Sequence, residues 1–81
     1  MKKINGLTDL EQKAFEALYE NAKYITNLDF GIIEEVEWNG DRKQLGGLIT
    51  NLMKKEIIYV SDPYYGTGEK VTQFTINEKY I

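Results

Sequence analysis

At 81 residues the chain is long enough for one hydrophobic core and too short for two. Ten Lys and Arg stand against thirteen Asp and Glu, a formal charge of −3, and 42% of the residues are hydrophobic. Cys and His are both absent, which removes the usual zinc ligands, any thiol nucleophile and the commonest general base.

Ser61 is the only serine, and with no imidazole in the chain a Ser-His-Asp hydrolase is excluded. No pair of carboxylates stands out for acid–base work, so the chain reads as a non-enzyme, with no cofactor and no metal expected. Disulfides cannot form, and packing must supply the stability. Lys2 and Lys3 precede no apolar stretch, so the amino terminus is not read as a signal peptide. No run approaches the roughly twenty apolar residues that span a bilayer. A cytoplasmic location is the default expectation, and the overall acidity weighs against unselective coating of nucleic acid.

The chain is expected to form a single domain over residues 1–81, with 1–6 flexible. Thr8-Asp9-Leu10-Glu11 reads as a capping box, the Thr8 hydroxyl taking the amide of residue 11 and Glu11 reaching back. Leu10, Ala14, Leu18 and Ala22 then recur every four residues beside Phe15 and Ile25, while Glu11, Gln12, Lys13, Glu16 and Glu20 take the other faces. That pattern predicts an amphipathic helix over 9–23.

Residues 29–38 are ambiguous by periodicity. Phe30, Ile33 and Glu37 suit a helical face, whereas Phe30, Ile32, Val36 and Trp38 alternate like a strand. Asp29 as a cap and the pair Glu34-Glu35 favour a helix, which is the expectation adopted. Asn39-Gly40 then marks a tight turn.

Asp41 is a second cap, with Gln44 at the third helical position. Leu45, Leu48, Ile49, Leu52 and Met53 follow at helical spacing and predict a core-facing helix over 42–55. Lys54-Lys55 at its end suits the negative pole of the helix dipole. Two strand-like runs close the chain, 57–61 and 70–76, and in the second Thr72, Phe74 and Ile76 share a face. Pro63, Gly66 and Gly68 mark the stretch between them as a long hairpin loop.

The predicted class is therefore α+β, three helices followed by a β-hairpin. From Gly40-Asp41-Arg42-Lys43-Gln44-Leu45-Gly46-Gly47-Leu48 through Lys54-Lys55-Glu56-Ile57-Ile58, the chain resembles a winged helix-turn-helix domain of the MarR-like branch. The resemblance covers about residues 7–81. It departs at Glu56, where the lysine pair is usually followed by Gly, and in lacking long terminal helices for dimerisation. What it implies is DNA binding through the third helix, with the wing at 62–70 on the backbone. A minority of such domains bind only proteins, and a protein-binding module or adaptor is the alternative.

Charge by segment points to the same helix. Residues 1–28 are neutral, 29–41 carry −5, 42–55 carry +4 with no acid, and 56–81 carry −2. Positive charge on one helix of an acidic protein suits a narrow major-groove contact. The candidate DNA-binding residues are Arg42, Lys43, Gln44, Gly47, Thr50, Asn51 and Lys54 on the helix, and Tyr65 and Lys70 in the wing. The bland reading of each is a solvated helix face, or tyrosines packed on a neighbouring helix. Gly46-Gly47 costs about 1 kcal/mol per residue against alanine inside a helix. Either bare backbone approaches a partner closely, or one glycine permits packing against a neighbouring helix. Glu34, Glu35, Glu37 and Asp29 lack the spacing of a calcium loop and read as a solvated face. Double-stranded DNA is the expected partner, no membrane is involved, and the protein is a monomer or small homodimer.

Overall fold

A computed structural model describes residues 3–61, 64–66 and 69–81; side chains at 64–66 and 69 fall outside the description. In chain order it contains α1 (Asp9–Thr26), β1 (Gly31–Ile32), a 3-10 turn (Ile33–Glu35), α2 (Arg42–Lys54), β2 (Ile58–Val60), β3 (Tyr64–Gly66), β4 (Glu69–Val71), β5 (Gln73–Ile76) and a second 3-10 turn (Glu78–Tyr80). The class is α+β, but with two α-helices rather than the three expected.

α1 starts on the predicted capping box. The Thr8 hydroxyl accepts from the Glu11 amide at 3.1 Å, and the Glu11 carboxylate accepts from the Thr8 amide at 2.9 Å. The buried face is rotated from the expected one. Glu11 and Gln12 are buried with Ala14, Phe15, Leu18, Asn21 and Ala22, while Leu10 is 44% exposed. The rotation has two causes. Gln12 Oε1 accepts the Ile4 amide at 3.0 Å, and Glu11 Oε1 also accepts Lys55 Nζ at 2.8 Å, so both polar side chains enter the packed interior already partnered. Ile4 is itself buried in the core, and residues 1 and 2 of the segment expected to be flexible lie outside the described residues.

The helix expected over 29–38 does not form. α1 ends at Asn27 in the left-handed region, Leu28 also has positive φ, and the chain reverses. Thr26 Oγ1 accepts the Phe30 amide at 2.7 Å, and the Ile32 amide donates to Asn21 Oδ1 at 2.8 Å. Gly31 then lies directly against the Phe74 ring, where a Cβ would overlap both that ring and Asn21 Oδ1. Only glycine lets β1 come this close to β5. The alternation of Phe30 and Ile32 was thus the better guide here than the helix-favouring acids.

β1, β5 and β2 form a three-stranded antiparallel sheet in that order, pairing Gly31 with Phe74, and Tyr59 with Thr75. The predicted 70–76 strand is divided at Thr72. Its first part, β4, pairs with β3, with Tyr65 opposite Lys70, so the expected loop is a two-stranded ladder instead. Thr72, Phe74 and Ile76 are buried as the alternation required. Phe74 belongs to the same buried core as Phe15 and Leu18 of α1, Leu45 and Leu52 of α2, and Ile58 of β2.

α2 ends where the resemblance called for glycine, and the backbone shows why. The Ile57 amide donates to Leu52 O at 3.0 Å and the Glu56 amide to Met53 O at 3.0 Å, a Schellman closure with buried Leu52 and Ile57 beneath it. Glu56 occupies its left-handed position with φ 59°. A non-glycine residue there is disfavoured by about 1 kcal/mol. Glu56→Gly should therefore raise unfolding free energy by about that amount in urea denaturation. An unchanged or lower midpoint would show that the Glu56 side chain compensates for the strain.

Candidate nucleic-acid interface

α2 buries Leu45, Leu48, Ile49 and Leu52 and leaves its other positions exposed. At about 100° per residue, Lys43, Gly47, Thr50 and Lys54 fall on one line along the exposed side. Gln44 and Asn51 flank that line on one side, Gly46 and Met53 on the other, all exposed. The two lysines lie about 16 Å apart along the axis at 1.5 Å per residue. A major groove is about 12 Å wide, so side chains at that separation can reach the backbone on both rims.

Among the described residues the glycines have no packing role. A Cβ on Gly46 or Gly47 would meet nothing within 4 Å, and neither residue has positive φ. The alternative in which one of them permits close contact with a neighbouring helix is therefore overturned. Alanine fits at both positions and would favour the helix.

Arg42 belongs to the fold rather than to the stripe. Its guanidinium donates to Val36 O at 2.7 Å and to Ile33 O at 2.9 Å, closing the carbonyl end of the first 3-10 turn. Asp41 caps α2 by accepting the Lys43 amide at 2.9 Å, so the helix N-terminus is already satisfied by a carboxylate. Thr50 Oγ1 donates back to Gly46 O at 3.0 Å, which leaves its lone pairs as acceptors facing solvent. Gln44 Oε1 lies against Gly40, and the buried indole Nε1 of Trp38, beside that same glycine, has no hydrogen-bond partner among the described residues.

In the hairpin Lys70 is exposed on β4, across from Tyr65. The side chain of Tyr65 lies outside the described residues, as do Asp62, Pro63, Thr67 and Gly68 altogether. The structure thus gathers Lys43, Gln44, Gly47, Thr50, Asn51 and Lys54 on one face and turns Arg42 away from it. Gly46 joins that face without having been among the predicted contacts, and so does Met53, which the spacing had placed on the core face but which is 41% exposed.

Glu34 is a structural group too. Its carboxylate accepts the Thr72 amide and the Thr72 hydroxyl, both at 2.7 Å, and so pins the first 3-10 turn to the sheet. Burial raises its pKa, but the Thr72 hydroxyl and amide, its own backbone and the charge of Lys70 outweigh that and hold it below the usual carboxylate value. Glu11 is lowered chiefly by Lys55 and then by the Thr8 amide, against a smaller effect of burial.

No protein-family model matches the chain, and no curated protein or solved structure matches it either. Among the described residues, no helix is long and apolar enough to cross a membrane.

Two outcomes are expected. Both carboxylates have folded-state pKa values below their unfolded ones. Their contribution is therefore complete above the unfolded value, about 4.3, and disappears as pH falls through the folded values. Urea midpoints should fall between neutral pH and about pH 3, and less steeply in Glu34→Gln. An identical pH profile in that variant would contradict the linkage. Separately, Arg42→Met should lower stability by about 1 kcal/mol, whereas Lys43→Met should change it by less than about 0.5 kcal/mol. Equal effects of the two would mean that Arg42 is not holding the turn.

Proposed function

We propose that this protein binds double-stranded DNA through the exposed stripe of α2, with the β3–β4 hairpin along the flanking backbone, and acts as a regulator rather than an enzyme. The observation that carries the reading is the make-up of that stripe. It pairs a lysine at each end with two glycines that no contact among the described residues requires. Bare backbone at the centre lets the helix axis approach base edges, and the lysines supply charge for the phosphates. Gln44, Thr50 and Asn51 are the hydrogen-bonding side chains placed for base edges or phosphates. The resemblance to winged helix-turn-helix domains rests, in this reading, on α2 and the hairpin rather than on a three-helix bundle.

The −5 segment before α2 is the strongest feature of the rival reading, a protein-binding module, because acids facing the same way would repel phosphate. Its charge is dispersed. Glu34 is bonded to Thr72, Asp41 caps α2, and Glu35 and Glu37 line a groove with α1 in which no α2 residue takes part. The stripe itself carries no acid.

A salt-dependent titration with mixed-sequence duplex tests the reading. Binding is expected at about 50 mM salt and should be lost in Lys43→Glu, Lys54→Glu, each lost phosphate contact reducing the log–log salt slope by about 0.9. No binding by the wild type would refute it. Gly47→Ala should stabilise the fold by up to about 1 kcal/mol and yet weaken DNA binding. A stabilised variant with undiminished binding would remove the role given to the bare backbone.

A further inference from the structure

The bases that the α2 stripe can read are set by the side chains it carries and by one that it lacks. In the major groove guanine is most often read by arginine on O6 and N7, and cytosine by a carboxylate that accepts from N4. Adenine is read by the carboxamide of Asn or Gln on N6 and N7, and thymine offers an apolar methyl group. Arg42 is the only arginine of the chain, and its guanidinium donates to Val36 O and Ile33 O at 2.7 and 2.9 Å. The usual guanine reader is therefore taken up by the fold. The stripe carries no acid either, so cytosine finds no carboxylate there.

What remains suits the other base pair. Gln44 and Asn51 are both exposed, and neither carboxamide has a hydrogen-bond partner among the described residues. They are two turns apart and so share a side of the helix, about 10 Å from one another along its axis. Base pairs rise about 3.4 Å each, so the two carboxamides meet different pairs. Gly46 and Gly47 lie between them in the chain with open space where a side chain would be, which leaves room for the methyl groups of thymine. Thr50 Oγ1 commits its proton to Gly46 O and is left as an acceptor only. The amino group of adenine or of cytosine satisfies it equally, so the choice between bases falls to Gln44 and Asn51.

Resting on the DNA reading of α2, we propose that the stripe selects A·T base pairs. The amide oxygen of Gln44 or Asn51 accepts from adenine N6, and the amide nitrogen donates to N7. The glycine pair admits the methyl group of the paired thymine. Lysine too can take guanine O6 and N7, but Lys43 and Lys54 end the stripe about 16 Å apart, wider than a groove of about 12 Å. That places them at the phosphates, which hold the helix in register without choosing among bases. The competing source of an A·T preference is a narrow minor groove, which attracts inserted cations. Lys70 is the one cation of the hairpin that could supply it.

The test is a set of fluorescence-anisotropy titrations of the intact protein at about 50 mM salt with three duplexes of equal length. One contains only A·T pairs, one only G·C, and one only inosine·cytosine, which keeps the major-groove acceptors of G·C and the minor groove of A·T. The A·T duplex is expected to bind about tenfold or more tightly than either of the others. Putting 7-deazaadenine in place of adenine removes the N7 acceptor and should abolish most of that advantage. Gln44→Ala, Asn51→Ala should bring the ratio of A·T to G·C affinity to within about twofold of one, with an unfolding midpoint at or above that of wild type, because alanine favours the helix. Lys43→Glu, Lys54→Glu should weaken A·T and G·C binding alike. Equal binding of A·T and G·C by the wild type overturns the proposal and leaves the DNA reading standing, whereas no binding to any duplex overturns both. Inosine·cytosine bound as tightly as A·T, or a preference that survives the double alanine variant, would move the choice to the minor groove and overturn readout by the carboxamides.

Discussion

Phe74 on the central strand is the residue around which the rest of the chain is arranged. It comes late in the sequence, yet its ring is buried in one core with side chains of α1, α2 and β2, and its backbone pairs with β1 on one side and β2 on the other. β1 can reach that position only because residue 31 is glycine. Once β1 is drawn onto β5, residues 33–35 are left with room for a single tight turn. A second full helix in the same stretch would have to give up the β1 pairing. The absent helix and the close Gly31–Phe74 contact are thus two consequences of one constraint.

Charge is sorted by the same geometry. Three residues that look like free surface charges in the sequence hold elements together instead. Glu34 joins the first 3-10 turn to Thr72, Arg42 closes that turn's carbonyls, and Glu11 binds the start of α1 to Lys55 at the end of α2. The α2 stripe is ended by lysines, while Glu16, Glu20, Glu35 and Glu37 line a groove beside α1. For a protein of net charge −3, the sorting leaves the α2 stripe without an acid and places the carboxylates of residues 35 and 37 on the α1 side.

Sequence periodicity succeeded where local forces dominate. The capping box at Thr8, the cap at Asp41, the buried face of α2 and the inward Thr72, Phe74 and Ile76 all follow from spacing within a few residues. It failed where a distant partner decided. The burial of Glu11 depends on Lys55, and that of Gln12 depends in part on Ile4. For residues 29–38, the two periodicities were nearly balanced, and contacts with Asn21, Thr72 and Phe74 settled the outcome. The exposed polar residues of α2 were legible as one face of the helix. That Arg42 is turned away from this face, and that both glycines are open, was not.

By itself, then, the sequence determined the two helices, their caps, the strand alternation around Phe74 and the placement of positive charge on residues 42–55, because each depends on neighbours one or two turns away. It also excluded thiol, imidazole and disulfide chemistry outright, by containing neither Cys nor His. Only the tertiary structure decided that 31–35 would be a strand and a tight turn. The same holds for which charges are engaged and for the opposition of α1 carboxylates to Glu35 and Glu37 across a groove. Those outcomes depend on pairing a strand near residue 31 with one near residue 74, and no local pattern carries the energy of a contact made over that separation.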